Sequence, residues 1–84
     1  MVDWTKVKPG AYTPVYVQVA QLIRDAISAG EYGPGDRLPS ETVIQQETGV
    51  SRLTTRKSYR MLADEGLIVT VHGRGSFVLP VDET

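Results

Sequence analysis

Cysteine is absent from this 84-residue chain. No disulfide staples the fold, and no thiolate is on hand as a nucleophile or metal ligand. The absence also fits a reducing compartment. There is a single histidine, His72, so a histidine-rich metal site is excluded. No stretch approaches the roughly 18 apolar residues of a membrane-spanning helix. The opening "MVDWTKVKPGAYTP" has no apolar signal core. These features lead us to expect a soluble, cytoplasmic protein with no membrane partner. No glycine loop has phosphate-binding spacing, and "HGRG" lacks the Lys-Ser/Thr of a P-loop. With no cysteine, one histidine in a turn and too few residues for a deep cleft, neither an enzyme nor a cofactor is expected.

What is present is an ordinary globular composition, 40% hydrophobic and 23% charged, which argues for one small folded domain rather than disorder. The formal net charge is -1, but it is unevenly spread. Residues 1–50 hold four Lys/Arg against six Asp/Glu. Residues 51–80 hold Arg52, Arg56, Lys57, Arg60 and Arg74 against Asp64 and Glu65. The tail adds Asp82 and Glu83. Positive charge is therefore local, and local charge is what a phosphate backbone feels.

Residues 1–12, with Pro9 and Gly10, read as a loose N-terminal arm, with Trp4 packed on the domain or on a partner subunit. Residues 13–80 read as one domain and 81–84 as a tail. Thr13 followed by Pro14 reads as an N-cap and first helical position. Val15, Val19, Leu22, Ile23, Ala26 and Ile27 then form an apolar stripe, which Gly30 ends. In Gly33-Pro34-Gly35-Asp36, Pro34 presets a turn corner and Gly35 is free to take positive φ. Asp36 to Leu38 has room for a very short strand. Ser40 caps a second helix, about Glu41 to Thr48, stopped by Gly49. Ser51 caps a third, about Arg52 to Glu65, stopped by Gly66. Two short helices joined through "TGVS" have helix-turn-helix proportions. "LIVTV", "HGRG" and "SFVL" make a hairpin. The expected fold is mainly α with a small β-hairpin, a winged helix-turn-helix of three helices plus a wing over 67–79.

On a helical wheel, Arg52, Arg56, Leu53, Arg60 and Lys57 share one side of the third helix. Thr55, Ser58, Tyr59 and Leu62 share another, about 130° away. The bland alternative is a solvated face, but the short partner helix and the following hairpin weigh against it. A helix fits the B-DNA major groove with its N-terminal residues nearest the base edges. Arg52 then reaches guanine acceptors, Leu53 a thymine methyl, and Ser51 with the helix N-terminus a phosphate. Thr54 touches DNA or packs, and Arg56 points with Arg52. Lys57 and Arg60 meet phosphate. At the hairpin tip Gly73 and Gly75 allow close approach, and Arg74 projects beside His72 toward minor groove or backbone. A winged helix can also dock a protein, but such a face favours aromatic and aliphatic residues.

From about Tyr16 to Val78 the chain resembles the DNA-binding domain of GntR-type bacterial transcriptional regulators. The matching pieces are Gly30 to Glu41, ending "PGDRLPSE", "GVSRLTTR" (Gly49 to Arg56), "LADEGLI" (Leu62 to Ile68) and "HGRGSFV" (His72 to Val78). The resemblance implies DNA contacts from Ser51, Arg52, Leu53, Thr54 and Arg56, and from His72 and Gly73 with Arg74 beside them. It also places Ser40 and Glu41 against a phosphate. The implied function is sequence-specific double-stranded DNA binding, as a repressor, with two copies on a palindromic operator.

Three departures stand out. Thr42 occupies a position often held by arginine. Leu53 replaces a usual threonine. Thr55, Ser58 and Tyr59 replace Val, Ala and Leu on the inner face. Thr55 is expected to bond a carbonyl of its own helix and Tyr59 to keep its hydroxyl at the rim. A homodimer is expected at least on DNA, through the arm around Trp4 and the first helix or on DNA alone. No small-molecule effector site is expected in these residues. Whether the chain is an excised domain or a short stand-alone member stays open.

Overall fold

The computed structural model describes residues 2–80; the tail at 81–84 lies outside the described residues. Three helices are followed by one hairpin: α1 (Val15–Ser28), α2 (Glu41–Thr48), α3 (Arg52–Asp64), β1 (Ile68–Val71) and β2 (Gly75–Val78). The winged helix-turn-helix order is thus observed.

The two caps flanking the helix-turn-helix form as their sequences require. Val43 N–H donates to Ser40 Oγ (3.1 Å), and Thr54 N–H donates to Ser51 Oγ (3.1 Å). Each bond satisfies one of the otherwise orphaned amides of a first turn. Gly49 stops α2 with φ +78°. The start of α1 differs from expectation. Pro14 is its N-cap and no side chain caps it. Thr13 instead offers its carbonyl to Gln18 Nε2 (2.7 Å). The same Gln18 amide bonds both the N–H (2.8 Å) and the C=O (3.0 Å) of Lys8. One side chain thus fixes the path of the N-terminal segment. That segment is not loose: Trp4–Lys6 form a 3-10 turn, Val2 is buried, and Trp4 packs against the domain's own core.

The core lies where α1 crosses α3, closed by α2 on one side and the hairpin on another. Val19, Ala20, Ile23, Ile44 and Leu62 are fully enclosed, with Leu38, Val50, Tyr59, Ile68 and Val78 around them. The α1 stripe is rotated from the expected one. Ala20 is buried, whereas Leu22 is only half-buried. Leu22 borders a shallow groove with Lys8, Ala11, Val17 and Gln21 rather than the core. A small alanine in the core shows that the buried face of α1 is set by fit and not by size alone.

The inner face of α3 is Thr55, Ser58, Tyr59 and Leu62, all buried. Ser58 Oγ donates to the Tyr16 carbonyl (2.7 Å), tying α3 to α1. Tyr59 is 5% exposed; it donates its hydroxyl to the Pro39 carbonyl and lines the groove shared with Glu41, Arg56 and Arg60, so a buried ring carries its hydroxyl to the rim. Burial pushes this phenol far above its ordinary range. Thr55 does not make the expected bond to a helix carbonyl: among the described residues its hydroxyl is buried without a partner. A buried orphan hydroxyl costs free energy, and valine has nearly the same shape. Thr55→Val should therefore raise stability by about 1 kcal/mol in urea unfolding. A loss of stability would show that the hydroxyl is satisfied in solution.

β1 and β2 pair antiparallel, Ile68 opposite Val78 and Val71 opposite Gly75. Asp36–Leu38 joins β2 as a third, minimal strand. Leu38 N–H donates to Ser76 C=O (2.8 Å) and Val78 N–H to Asp36 C=O (3.0 Å), beside an Arg37–Phe77 bridge. The turn before it is as expected, with Gly35 at φ +84° and Asp36 N–H bonded to Gly33 C=O (3.0 Å). The wing is therefore anchored to the segment that leads into α2.

Candidate nucleic-acid interface

The residues singled out in α3 divide by face as the wheel requires. Arg52, Leu53, Arg56, Lys57 and Arg60 are exposed, opposite the buried face, and Leu53 is 72% exposed. A bare leucine in the first turn beside Arg52 has no packing role. Thr54 is half-buried, and its Oγ1 accepts from Ser51 Oγ (2.9 Å). Ser51 is thus occupied in capping, and its contribution to an anion falls mainly to the backbone N–H groups of the first turn. Ser40 is exposed and caps α2 in the same way.

Two cations are not isolated charges. Lys57 Nζ lies 4.1 Å from the centroid of the Tyr16 ring, a cation–π contact to the first turn of α1. Arg56 forms a two-pronged ion pair with Glu41: Nε to Oε2 at 3.0 Å and Nη2 to Oε1 at 3.0 Å. The hydrogen bond from the guanidinium to Glu41 holds the Arg56 charge more firmly, raising its pKa. The Glu41 side chain is therefore directed at Arg56. By contrast, Arg24 pairs with Glu65 at the far end of α3. There the arginine hydrogen bond holds the Glu65 carboxyl below its ordinary range.

Glu41, Arg56, Arg60, Ala63, Thr70 and Ser76 line one groove. It brings the start of α2, the outer side of α3 and the wing into a single surface. His72, Gly73 and Arg74 stand exposed on the hairpin tip, where Arg74 N–H closes the turn onto Val71 C=O (3.0 Å). Among the described residues, no hydrogen bond or ion pair links this tip to α3. The two surfaces are separate points of approach on one body.

Sequence reasoning missed Arg37. Its guanidinium lies over the backbone of Gly75, so closely that a Cβ there would sit 2.9 Å from Nε. The Arg37 side chain could swing aside for a Cβ, but Gly75 has φ +114°, and that backbone conformation is what favours glycine at this corner of the wing. The signal was available: Leu38 is buried, and alternation along a strand puts Arg37 on the outer face. Tyr16 was missed too, and no signal on α1 alone shows that Lys57 will cover it. Among the described residues, no group of His, Asp and Glu could hold a metal ion. No helix there is long and apolar enough to cross a membrane.

A sequence profile described as "Bacterial regulatory proteins, gntR family" matches residues 15–78, most of the chain. The chain belongs to the GntR family. GntR relatives include the mannosyl-D-glycerate transport/metabolism system repressor MngR of Escherichia coli (strain K12). It is 42% identical over 67 residues, covering 80% of this chain and 28% of the relative. The histidine utilization repressor of Klebsiella aerogenes is 43% identical over 68 residues, covering 81% and 28%. The chain thus spans little more than a quarter of the length of these curated relatives.

Among solved structures, YtrA from Sulfolobus acidocaldarius, a GntR-family transcription factor, superposes with a TM-score of 0.84 at 39% identity. The match covers 95% of this chain and 84% of that one. AraR(DBD) in complex with operator ORX1 gives a TM-score of 0.76 at 39% identity, covering 79% and 80%. The GntR winged-helix domain is therefore the architecture of this chain. Its family and relatives are transcriptional regulators.

Proposed function

We propose that this chain is the sequence-specific double-stranded DNA-binding module of a bacterial transcription regulator, acting in the cytoplasm as a repressor and not as an enzyme. The observation that carries this reading is the division of α3, with four cations and Leu53 exposed on one side and a fully packed opposite side. α3 enters the major groove with Arg52 and Leu53 nearest the bases. The wing tip, His72, Gly73 and Arg74, meets the adjacent groove or backbone. Ser40 and the first turn of α2 meet a phosphate. The AraR(DBD)–operator complex, of like fold, supports the reading, as do relatives named as repressors.

Two copies occupy two half-sites of an approximate palindrome, with centres about one helical turn apart or less. Trp4 packs on its own chain, so pairing is proposed to occur on DNA rather than through the arm. A single copy per site in sedimentation would refute pairing. No small-molecule effector site is assigned to these residues. A thermal shift of several degrees with sugars, acyl-CoA or amino acids would overturn that.

The test is selection of bound duplexes from a random pool at about 150 mM salt. Enrichment of a short palindrome is expected. Salt-sensitive binding without enrichment would mean a backbone-only contact, and no binding would favour a protein-docking winged helix. Arg60 sits further along α3, beside the wing groove. Arg60→Ala should weaken all sequences alike and lower the salt slope by about one unit. A change in selected sequence would instead make Arg60 a base reader.

A further inference from the structure

We propose that Glu41 is a positioning residue for sequence reading: it holds Arg56 so that the outer edge of the guanidinium addresses one guanine. This rests on the reading of α3 as the helix that enters the groove. The ion pair is side-on. Glu41 takes the Nε and Nη2 edge of Arg56 with its two oxygens, both at 3.0 Å. An arginine carries five N–H donors, and this pairing uses two. One Nη1 hydrogen and the second Nη2 hydrogen are left on the end-on edge, which is itself a fork of two parallel donors, with the other Nη1 hydrogen to its side. Guanine O6 and N7 accept such a fork in the major groove.

The burial agrees. The Arg56 side chain is 57% exposed and that of Glu41 is 29%, so the acid sits behind and the cation in front. Glu41 is the first residue of α2, where the helix dipole favours a carboxylate and the Ser40 cap fixes the backbone. An exposed pair of this kind adds little to stability. What it adds is direction, since an unpaired arginine on a helix surface samples many rotamers. Pairing also offsets the Arg56 charge, so the residue contributes less to general attraction for phosphate than to the choice of base. A sequence-level reading gives Glu41 a phosphate contact. The geometry gives its side chain a role through Arg56, leaving any phosphate contact to the backbone.

The experiment compares Glu41→Gln, Arg56→Lys and the double variant in the 84-residue chain. Each is checked first for an unchanged melting curve. Each is then measured on the selected operator, on operators with single guanines replaced, and on random duplex across salt. Glu41→Gln should lower the preference for one guanine about tenfold. It should also steepen the salt slope by about one unit, because the released Arg56 is free to neutralise a phosphate. Arg56→Lys keeps the charge but not the fork, and should lose the same preference. The double variant should be no worse than Arg56→Lys alone.

Full guanine preference in Glu41→Gln, or in Arg56→Lys, overturns the inference. Arg52→Ala separates the two levels of failure. If it changes the selected sequence while the Glu41 and Arg56 variants do not, only the role of Glu41 is lost. If none of the variants changes the sequence, the reading of α3 has failed with it.

Discussion

Ile23→Ala is expected to destabilise the domain by about 2–5 kcal/mol. Ile23 is wholly enclosed between α1 and α3, among Val19, Ile44 and Leu62. Truncation removes apolar contacts and leaves a cavity that helices braced on three sides cannot fill. A domain this small holds roughly 5–15 kcal/mol in all. The loss should therefore lower the melting temperature by about 10 °C or more. Leu22→Ala is the control. Leu22 lies one residue away and is only half-buried over a shallow groove, so its truncation should cost about 1 kcal/mol. Equal melting temperatures for the two variants would show that the α1 crossing is misplaced by a residue.

Arg52→Ala should cost about 1–3 kcal/mol on the selected operator, a loss of some five- to 150-fold, and relax base preference at one position. Arg52 opens α3 and is exposed next to Leu53, at the end of the helix proposed to come nearest base edges. Binding to random duplex should fall much less, because the cation removed is one of several facing the backbone. Isothermal titration on specific and random duplexes reads both numbers. Unchanged affinity and an unchanged selected sequence would mean that α3 is not the reading helix.

The residues that announced themselves in the sequence act locally. Ser40 and Ser51 cap the helices they precede because a hydroxyl and the amide three residues on meet wherever the chain turns into a helix. The hairpin follows from β-branched residues about a glycine turn. The outer face of α3 follows from its period. Where the reading slipped, the deciding contact was one that helix period and capping rules do not show. Thr13 lost the cap of α1 because Gln18 drew its carbonyl into a clamp with Lys8. Ala20 rather than Leu22 lies in the core, because the way α1 is turned against its neighbours, not the size of the side chain, selects the buried face. Thr55 and Ser58 are both hydroxyl residues on one face. Only Ser58 meets carbonyls, that of Thr54 in its own helix and that of Tyr16 on another, while Thr55 has none among the described residues. The Glu41–Arg56 pair joins two helices whose relative placement no periodicity shows. The list of cations on α3 was legible; which of them is already engaged was not.

The ladder between Asp36–Leu38 and β2 also sets an order of assembly. The α1–α3 crossing must close a long loop, but it gains a large apolar contact at once. The wing ladder joins residues about as distant and returns only a few hydrogen bonds, those of Gly35, Leu38 and Val78. Non-local pairing of this kind forms late. The helices should gather first, and the wing should then lock onto a framework already in place. Pulse-labelled exchange would show the Ile44 and Leu62 amides protected before those of Leu38 and Val78. On the proposed reading, a copy that has not taken that last step would carry its reading helix without the wing as a second hold, and should compete poorly for the operator.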